Sequence, residues 1–424
     1  MCKITKNGHI IPNFLATFVI NMKIKKKNII AIACFAVIAV AAIVCWTRWD
    51  AWFAQPEEAP YLPSSTPDRV LLTPGNSGEL SRNVSWMCDT ALQDSHLELS
   101  IAGDSAAAKR IPAVGEVFVS RAGKAAYYHA KLDSLAPNRR YAYRAVTGDQ
   151  ASQWHEFSTH GSGNRDFSFI YVGDVQDTIG GNANAYLRAA FDRHPDAELL
   201  VCGGDLTERP RDADWAQTFA GLDSIGTAVP VMTVTGNHDY LKGVISKLER
   251  RFSLIFSYFL DSKINDNQVY RLRYGNAEFF LVDTFRELPY LLTQSDWLKR
   301  SLADSDAKWK IVVMHHPMQS IRGKGHLPQR WAFADVIEEG GVDLVLQGHE
   351  HNYARRSNGG KAPAYIISHC SPKSYDHKTA DQWDKTHFDS RYYQHIRTHG
   401  DTLTVATYEV YTDSLIDEID VIRN

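Results

Sequence analysis

Cysteine is scarce: six occur in 424 residues, and Cys2, Cys34 and Cys45 fall in a basic, apolar leader. The remaining three, Cys88, Cys202 and Cys370, show no paired spacing, which argues against a disulfide framework. Cys202 lies inside an apolar run and reads as a buried, inert thiol. Acidic residues are missing from positions 1–49, which hold six Lys and Arg48. Those seven leave 39 of the 46 basic residues against all 49 acids, so the rest of the chain carries −10 while the whole carries −3. A net acidic body lacks the electrostatic footprint of a nucleic-acid binder, and no nucleic-acid partner is expected. No internal repeat is present. What is there, 44% hydrophobic and 22% charged residues, is a globular composition of two or three domains.

The basic start has the shape of an export signal. Met22 is followed by Lys23, Lys25, Lys26 and Lys27, then by an unbroken apolar run from Ile29 to Trp46. Met22 itself fits the true start, because the Lys-rich and apolar regions then fall at the usual distances from it. The run exceeds a typical signal core of about 7–15 residues and reaches the roughly 17–25 that span a bilayer. It also offers small-x-small sites such as Ala39-Val40-Ala41 for a signal peptidase. Residues 1–50 are therefore a cleaved signal peptide or an uncleaved membrane anchor, and both place the body outside the cytoplasm: periplasmic, extracellular or anchored facing outwards.

Residues 51–67, with Pro56, Pro60, Pro63 and Pro67, read as an extended, solvated linker. From Arg69 to Thr159, seven short β-branched and aromatic runs recur between turn signals: Val70–Leu72, Asn83–Met87, Leu97–Ile101, Val117–Ser120, Ala125–Leu132, Tyr141–Val146 and Trp154–Ser158. That spacing predicts a β-sandwich over 68–160, with Trp86 in its core and Tyr141 as a tyrosine corner. After the Gly161–Arg165 joint, apolar strands alternate with longer helical stretches, which predicts an α/β domain over 165–424.

The residues immediately after each apolar run carry the chemistry. Phe169–Val172 ends in Gly173-Asp174-Val175-Gln176, and Leu199–Cys202 ends in Gly203-Gly204-Asp205. Val231–Thr235 ends in Gly236-Asn237-His238-Asp239, Ile311–Met314 in His315-His316, and Leu344–Gln347 in Gly348-His349-Glu350-His351. Five strands thus deliver Asp, Asn and His at their carboxyl ends, where open α/β sheets place ligands. Carboxylate and imidazole suit borderline metals, and about seven such groups exceed the need of one tetrahedral site. Two transition-metal ions, divalent or trivalent Fe, Zn or Mn, are implied.

These blocks, in this order across 166–356, resemble the calcineurin-like metallophosphoesterases and, within them, the purple acid phosphatases. Arg69-Val70-Leu71-Leu72-Thr73-Pro74-Gly75 with Val84-Ser85-Trp86 is similar to their fibronectin type III-like amino domain. Gln294 and Trp297, then Trp309–His315, are similar to the segment leading into a metal-binding His. The resemblance implies a four-layer α/β/β/α metallophosphoesterase sandwich preceded by a small all-β fibronectin III-like sandwich. It implies that Asp205 bridges two metals, with Asp174 and His351 on one and Asn237, His315 and His349 on the other, and that His238 sits beside the phosphoryl group. Chemistry asks for the same: a carboxylate bridge holds cations roughly 3.5–4 Å apart, clamps attacking and leaving oxygens, and yields hydroxide near neutral pH. His238 then protonates the leaving alkoxide or stabilises its charge.

Departures from the family pattern matter. Glu208 stands where purple members carry a Tyr, so no tyrosinate-to-iron colour is expected; Glu208 is a candidate ligand or a solvent-facing carboxylate. Gln176 replaces a His or Gly, with its amide either on the first metal or on a metal-bound water. His316 reads as a support to its neighbouring ligand. His326, on the loop 319–326, resembles a substrate-contacting His of plant-type members, and Arg355 resembles an Arg that follows the paired His; the plainer alternatives are an exposed loop His and a helix-surface charge. The His- and aromatic-rich stretch 371–401 either shapes specificity at the rim or is a surface insertion, with the latter the expectation.

The leading function is an exported dinuclear-metal hydrolase of small phosphate monoesters, which touches a membrane only if the leader is uncleaved. The alternatives are a phosphodiesterase on the same scaffold, or a non-catalytic surface binding protein.

Overall fold

A computed structural model describes residues 26–422, apart from 56, 76–77, 105–106, 244, 259–263, 265–267, 324, 358–361 and 378–381. The expected start at Met22 and its first lysines lie outside the described residues. Two compact units divide the chain at Ala54. The described part of the first is one 27-residue helix, Lys26–Trp52, whose apolar side chains are exposed. A helix of that length rises about 40 Å at roughly 1.5 Å per residue, and an 18-residue window within it with a mean hydropathy of 2.9 makes it long and apolar enough to cross a membrane.

The second unit opens with an all-β domain. Its eight strands run from Asp68–Gly75 to His155–Ser158, and Gln150–Ala151 joins the seven expected. Strand Lys109–Val119 begins eight residues before the apolar Val117, because the exposed Lys109, Arg110 and Glu116 hide the strand pattern. Trp86 is buried as expected, stacked on Tyr128 with its indole N–H on the Thr147 hydroxyl at 3.0 Å. The Tyr141 hydroxyl accepts the Ala136 N–H at 2.8 Å, the upstream bond of a tyrosine corner.

The expected solvated linker is corrected over its second half. Glu58 is buried and takes Arg251 Nη1 and the Asp212 N–H, each at 2.6 Å. Pro63 and Pro67 are buried too, and Tyr61 N–H bonds Ala122 O at 2.8 Å. One acidic side chain that neutralises a buried Arg outweighs the proline-rich composition.

Two sheets then face each other. In one, Val231–Thr233, Ala197–Cys202 and Ser168–Val172 run parallel, followed by the antiparallel Tyr392–His399, Thr402–Glu409 and Leu415–Ile422. The other runs Tyr270–Tyr274, Ala277–Val282, Trp309–Met314, Leu344–Gln347, Ala364–Ile367, Tyr353–Arg356 and Lys385–His387, and the four strands from Ala277–Val282 to Ala364–Ile367 are parallel. Alternation along single strands fixes the layers: Phe279, Leu281, Ile311 and Val313 pack in the core shared with Phe169 and Tyr171 of the facing sheet. Phe280, Val282, Val312 and Met314 pack instead with Leu291, Leu298 and Phe333 of helices Leu288–Asp304 and Leu327–Glu339. Helices Ala183–Arg193 and Asp212–Leu222 pack together with the first sheet, which completes the α/β/β/α order.

The reading of 371–401 as a surface insertion fails for Tyr392–His399, a buried strand at the centre of the first sheet. Buried polar groups disguise it: Gln394 is fully buried because its amide donates to the Ser368 hydroxyl at 2.9 Å.

Candidate metal centre

Each of two motif glycines answers to a close approach at a strand end. A Cβ on Gly173 would lie 1.9 Å from Ser368 O, and one on Gly236 would lie 2.1 Å from Asp205 Oδ1. The donors themselves leave their strands in left-handed backbone, with φ of 48° at Asp205, 72° at His349, 51° at His351 and 27° at Gln176. Such conformations cost about 1–3 kcal/mol each and persist where surroundings over-determine them. Here the determinants are hydrogen bonds between motifs: His349 N–H to Asp174 Oδ2 at 2.5 Å, Gln176 N–H to Asp205 O at 3.1 Å, and Asp205 N–H to Asp239 Oδ2 at 3.2 Å. A parallel bridge between Asp174 and His369 joins the two sheets at this end.

All six expected ligands, Asp174, Asp205, Asn237, His315, His349 and His351, come together. His315 Nδ1 donates to Gly203 O at 2.9 Å, which leaves Nε2 facing inward. Around that Nε2 stand Asp205 Oδ2 at 3.2 Å, Asn237 Oδ1 at 3.1 Å and His349 Nδ1 at 3.2 Å. A single proton on Nε2 satisfies one of these three; a cation among them satisfies all. Nearby, His351 Nδ1 donates to Lys373 O at 3.2 Å, so its Nε2 lone pair faces Asp174 Oδ1 across 3.9 Å. That carboxylate oxygen is fully buried without a hydrogen-bond partner. A buried, unpaired carboxylate oxygen and a facing imidazole lone pair fit a metal ion and little else. The donor set thus fits metal binding.

The electrostatics state the same demand. Burial opposes charge on His315, yet Asp205 and Asp174 beside it raise its imidazole to about 10. Burial alone would lift Asp205, but His315 and the N–H and ring of His238 hold it below the ordinary carboxylate range. Burial, with Asp205 adding to it and His315 opposing it, raises Asp174 to about 7. His349 and His351 are pushed down, chiefly by burial, His351 to about 4, so both are neutral and available as ligands.

The other expected residues surround this donor set. His238 N–H donates to Asp205 Oδ1 at 2.7 Å, and its Nδ1 meets Glu208 O at 2.6 Å, so Nε2 is the working nitrogen. Gln176 reaches Asp205 Oδ2 through Nε2 at 3.3 Å, while its Oε1 is buried without a partner. Glu208 pairs its carboxylate with Lys373. His326 packs edge-on against His349 at 4.9 Å and bonds Glu350 at 3.1 Å, so it belongs to the rim. His316 supports His349, with ring centroids 4.3 Å apart and Nδ1 against the Thr284 hydroxyl at 3.0 Å.

Arg355 is the correction: it lies on strand Tyr353–Arg356 rather than a helix, and Asp417 at 2.6 Å and Asp384 at 3.4 Å occupy its guanidinium. It ties two strands together and is not positioned for substrate.

Sequence reasoning missed the roles of Asp239 and Lys373 and met Tyr375 only as part of the His- and aromatic-rich stretch 371–401. Asp239 Oδ2 holds both Gly236 N–H, at 2.8 Å, and Asp205 N–H, which locks two motifs together; its place within Gly236–Asp239 was the available signal. Lys373 supplies the carbonyl that orients His351. Tyr375 packs on the His351 ring at 4.5 Å and itself carries the Arg322 guanidinium 4.6 Å from its ring centroid. Nothing in the local sequence marks Lys373.

Two stretches of the chain match known families. Residues 167–353 match the calcineurin-like phosphoesterase family, and residues 67–159 match the purple acid phosphatase N-terminal domain. Purple acid phosphatase 17 of Arabidopsis thaliana is 25% identical over 247 residues, which cover 49% of this chain and 69% of the relative. Purple acid phosphatase 4 of the same plant is 26% identical over 218 residues, 44% of this chain; the chain spans only 61% of that relative's length. Among solved structures, a purple acid phosphatase from yellow lupin (Lupinus luteus) seeds superposes with a TM-score of 0.71 at 16% identity, over 85% of this chain and 75% of its own.

Proposed function

We propose that this chain, which carries a calcineurin-like phosphoesterase domain behind a purple acid phosphatase N-terminal domain, hydrolyses small phosphate monoesters outside the cytoplasm. Asp174 and His351 would hold one transition-metal ion, Asn237, His315 and His349 a second, and Asp205 both. When bound, the pair supplies Lewis acidity toward phosphoryl oxygens and an activated water. The chain's residues do the rest. Asp239 and the Gly203 carbonyl fix the orientation of Asp205 and His315, so that the donors are set before substrate arrives. His238, with Nδ1 committed to Glu208 O, offers Nε2 to the departing alkoxide. His326 and Tyr375 line the rim above His349 and His351.

The observation that carries this reading is the inward-facing set on His315 Nε2, three donor atoms within 3.2 Å that a single proton on that nitrogen does not satisfy together. The reading is tested by turnover of p-nitrophenyl phosphate against bis-p-nitrophenyl phosphate. Monoester cleavage should dominate; preference for the diester would make the protein a phosphodiesterase instead. For export, the support is the apolar helix Lys26–Trp52 with its lysines at one end and Trp46, Trp49 and Trp52 at the other, the arrangement of a segment anchored at both interfaces. Intact cells expressing the chain should hydrolyse an added, impermeant phosphate ester. Activity seen only after lysis would place the body in the cytoplasm.

A further inference from the structure

The rim of the metal centre carries a cation that no carboxylate neutralises, and the fold holds it there from two sides. Glu350 stands between His349 and His351 in the chain and is buried, at 1% exposure. Its carboxylate takes the Ser320 hydroxyl at 2.9 Å, the Arg322 N–H at 3.3 Å and His326 Nε2 at 3.1 Å. A buried carboxylate needs such donors, so the backbone that bears Arg322 is pinned to the metal-binding motif itself.

From that backbone the Arg322 side chain reaches over the Tyr375 ring, with Cζ 4.6 Å from its centroid, and Tyr375 in turn packs on the His351 ring at 4.5 Å. The two contacts put the guanidinium within about 9 Å of the His351 ring. Burial raises the Tyr375 phenol; Asp174 adds to that, Arg322 opposes it and Asp205 adds again, so donor carboxylates and guanidinium act on one hydroxyl. Lys373 is paired with Glu208, and His326 with Glu350. Among the described residues no carboxylate pairs with the Arg322 guanidinium, which lies on the face of an aromatic ring. That face attracts and orients the charge without cancelling it.

Resting on the proposed hydrolysis of phosphate monoesters, we infer that Arg322 sets specificity by receiving a carboxylate on the same substrate whose phosphoryl group lies at the metal donors. The preferred substrates are then phosphate monoesters with a carboxylate a short carbon chain from the phosphorus. A planar guanidinium offers paired N–H donors that match a carboxylate, and the stack on Tyr375 limits the side-chain freedom that binding removes. One uncompensated positive charge balances a carboxylate, whereas a second phosphate brings about −1.5 to −2 at pH 7.

The test compares 3-phosphoglycerate with glycerol 3-phosphate, which lacks the carboxylate, as substrates of the purified full-length chain. Wild type should show the higher kcat/KM on 3-phosphoglycerate. Arg322→Gln should remove that preference through a rise in KM of about tenfold, the low end for a hydrogen bond to a charged group, and leave glycerol 3-phosphate nearly unchanged. Binding is read apart from turnover by calorimetric titration with 3-phosphonopropionate and ethylphosphonate, whose P–C bonds resist hydrolysis; wild type should bind the first more tightly, and Arg322→Gln should bind both alike. Equal kcat/KM or equal binding of each pair in wild type, or an equal loss on both esters in the variant, would overturn the inference while p-nitrophenyl phosphate is still turned over. Failure to hydrolyse any ester, p-nitrophenyl phosphate included, would instead overturn the monoesterase reading on which it rests.

Discussion

Lys373 and Glu208 form an ion pair across the rim of the metal centre, joining the stretch after Ser371 to the loop that carries Asp205. The Glu208 carboxylate is thereby engaged by a lysine. Both side chains are about a third exposed, so the pair contributes about 0–1 kcal/mol. Glu208→Gln is expected to keep its full complement of metal and its turnover, as measured by elemental analysis and p-nitrophenyl phosphate hydrolysis. Loss of a metal equivalent in that variant would make Glu208 a ligand.

His238 donates its backbone N–H to Asp205 and commits ring Nδ1 to Glu208 O, so on the proposed reading Nε2 serves the leaving group. His238→Ala should lower kcat by about 10²–10⁴ while metal content stays at the wild-type level. A matched loss of metal would assign the ring a ligand role instead.

Arg69 joins the all-β domain to the α/β domain by a two-pronged bond to Asp212, 2.9 Å on each side, with both groups buried. Removing one partner strands a buried charge, so Arg69→Ala should lose about 3–5 kcal/mol in denaturant unfolding. A loss below about 1 kcal/mol, the worth of an exposed pair, would mean that water reaches this contact.

His129 sits in the all-β domain, where burial is the main cause that lowers its imidazole to about 4 from 6.5. A depressed folded value means that the unfolded chain binds the proton more readily. Stability from this residue is therefore complete above pH 6.5 and is lost as pH falls toward 4, up to about 3 kcal/mol at roughly 1.4 per unit. Unfolding free energies from about pH 7 to 4 should show that slope, and His129→Gln should flatten it. An unchanged slope in the variant would place the acid sensitivity elsewhere.

The donor set is legible in the sequence because each ligand closely trails an apolar run and most sit beside a glycine that the geometry requires, as Gly173 and Gly236 show. Strand-forming runs buried on both faces, such as Trp309–Met314, are equally plain. What escapes is structure held by long-range polar pairing. Gln394 and His395 disguise the central strand Tyr392–His399 as surface, and Glu58 draws a proline-rich linker onto the body through Arg251. Arg355 misleads for the same reason: its motif position suggests a role that Asp417, 62 residues away, cancels. The partners of Asp205 and His351 that set their orientation, Asp239 and Lys373, likewise become visible only when the strand ends converge.

The central claim is that phosphate-ester hydrolysis depends on cations held by Asp174, Asp205, Asn237, His315, His349 and His351. It is tested most directly by following p-nitrophenyl phosphate turnover as the purified chain is stripped by a chelator and then reloaded with Fe, Zn or Mn. Turnover should vanish on stripping and return with at least one of these metals, and in Asp205→Asn it should not return. Undiminished turnover in metal-free protein would contradict the account.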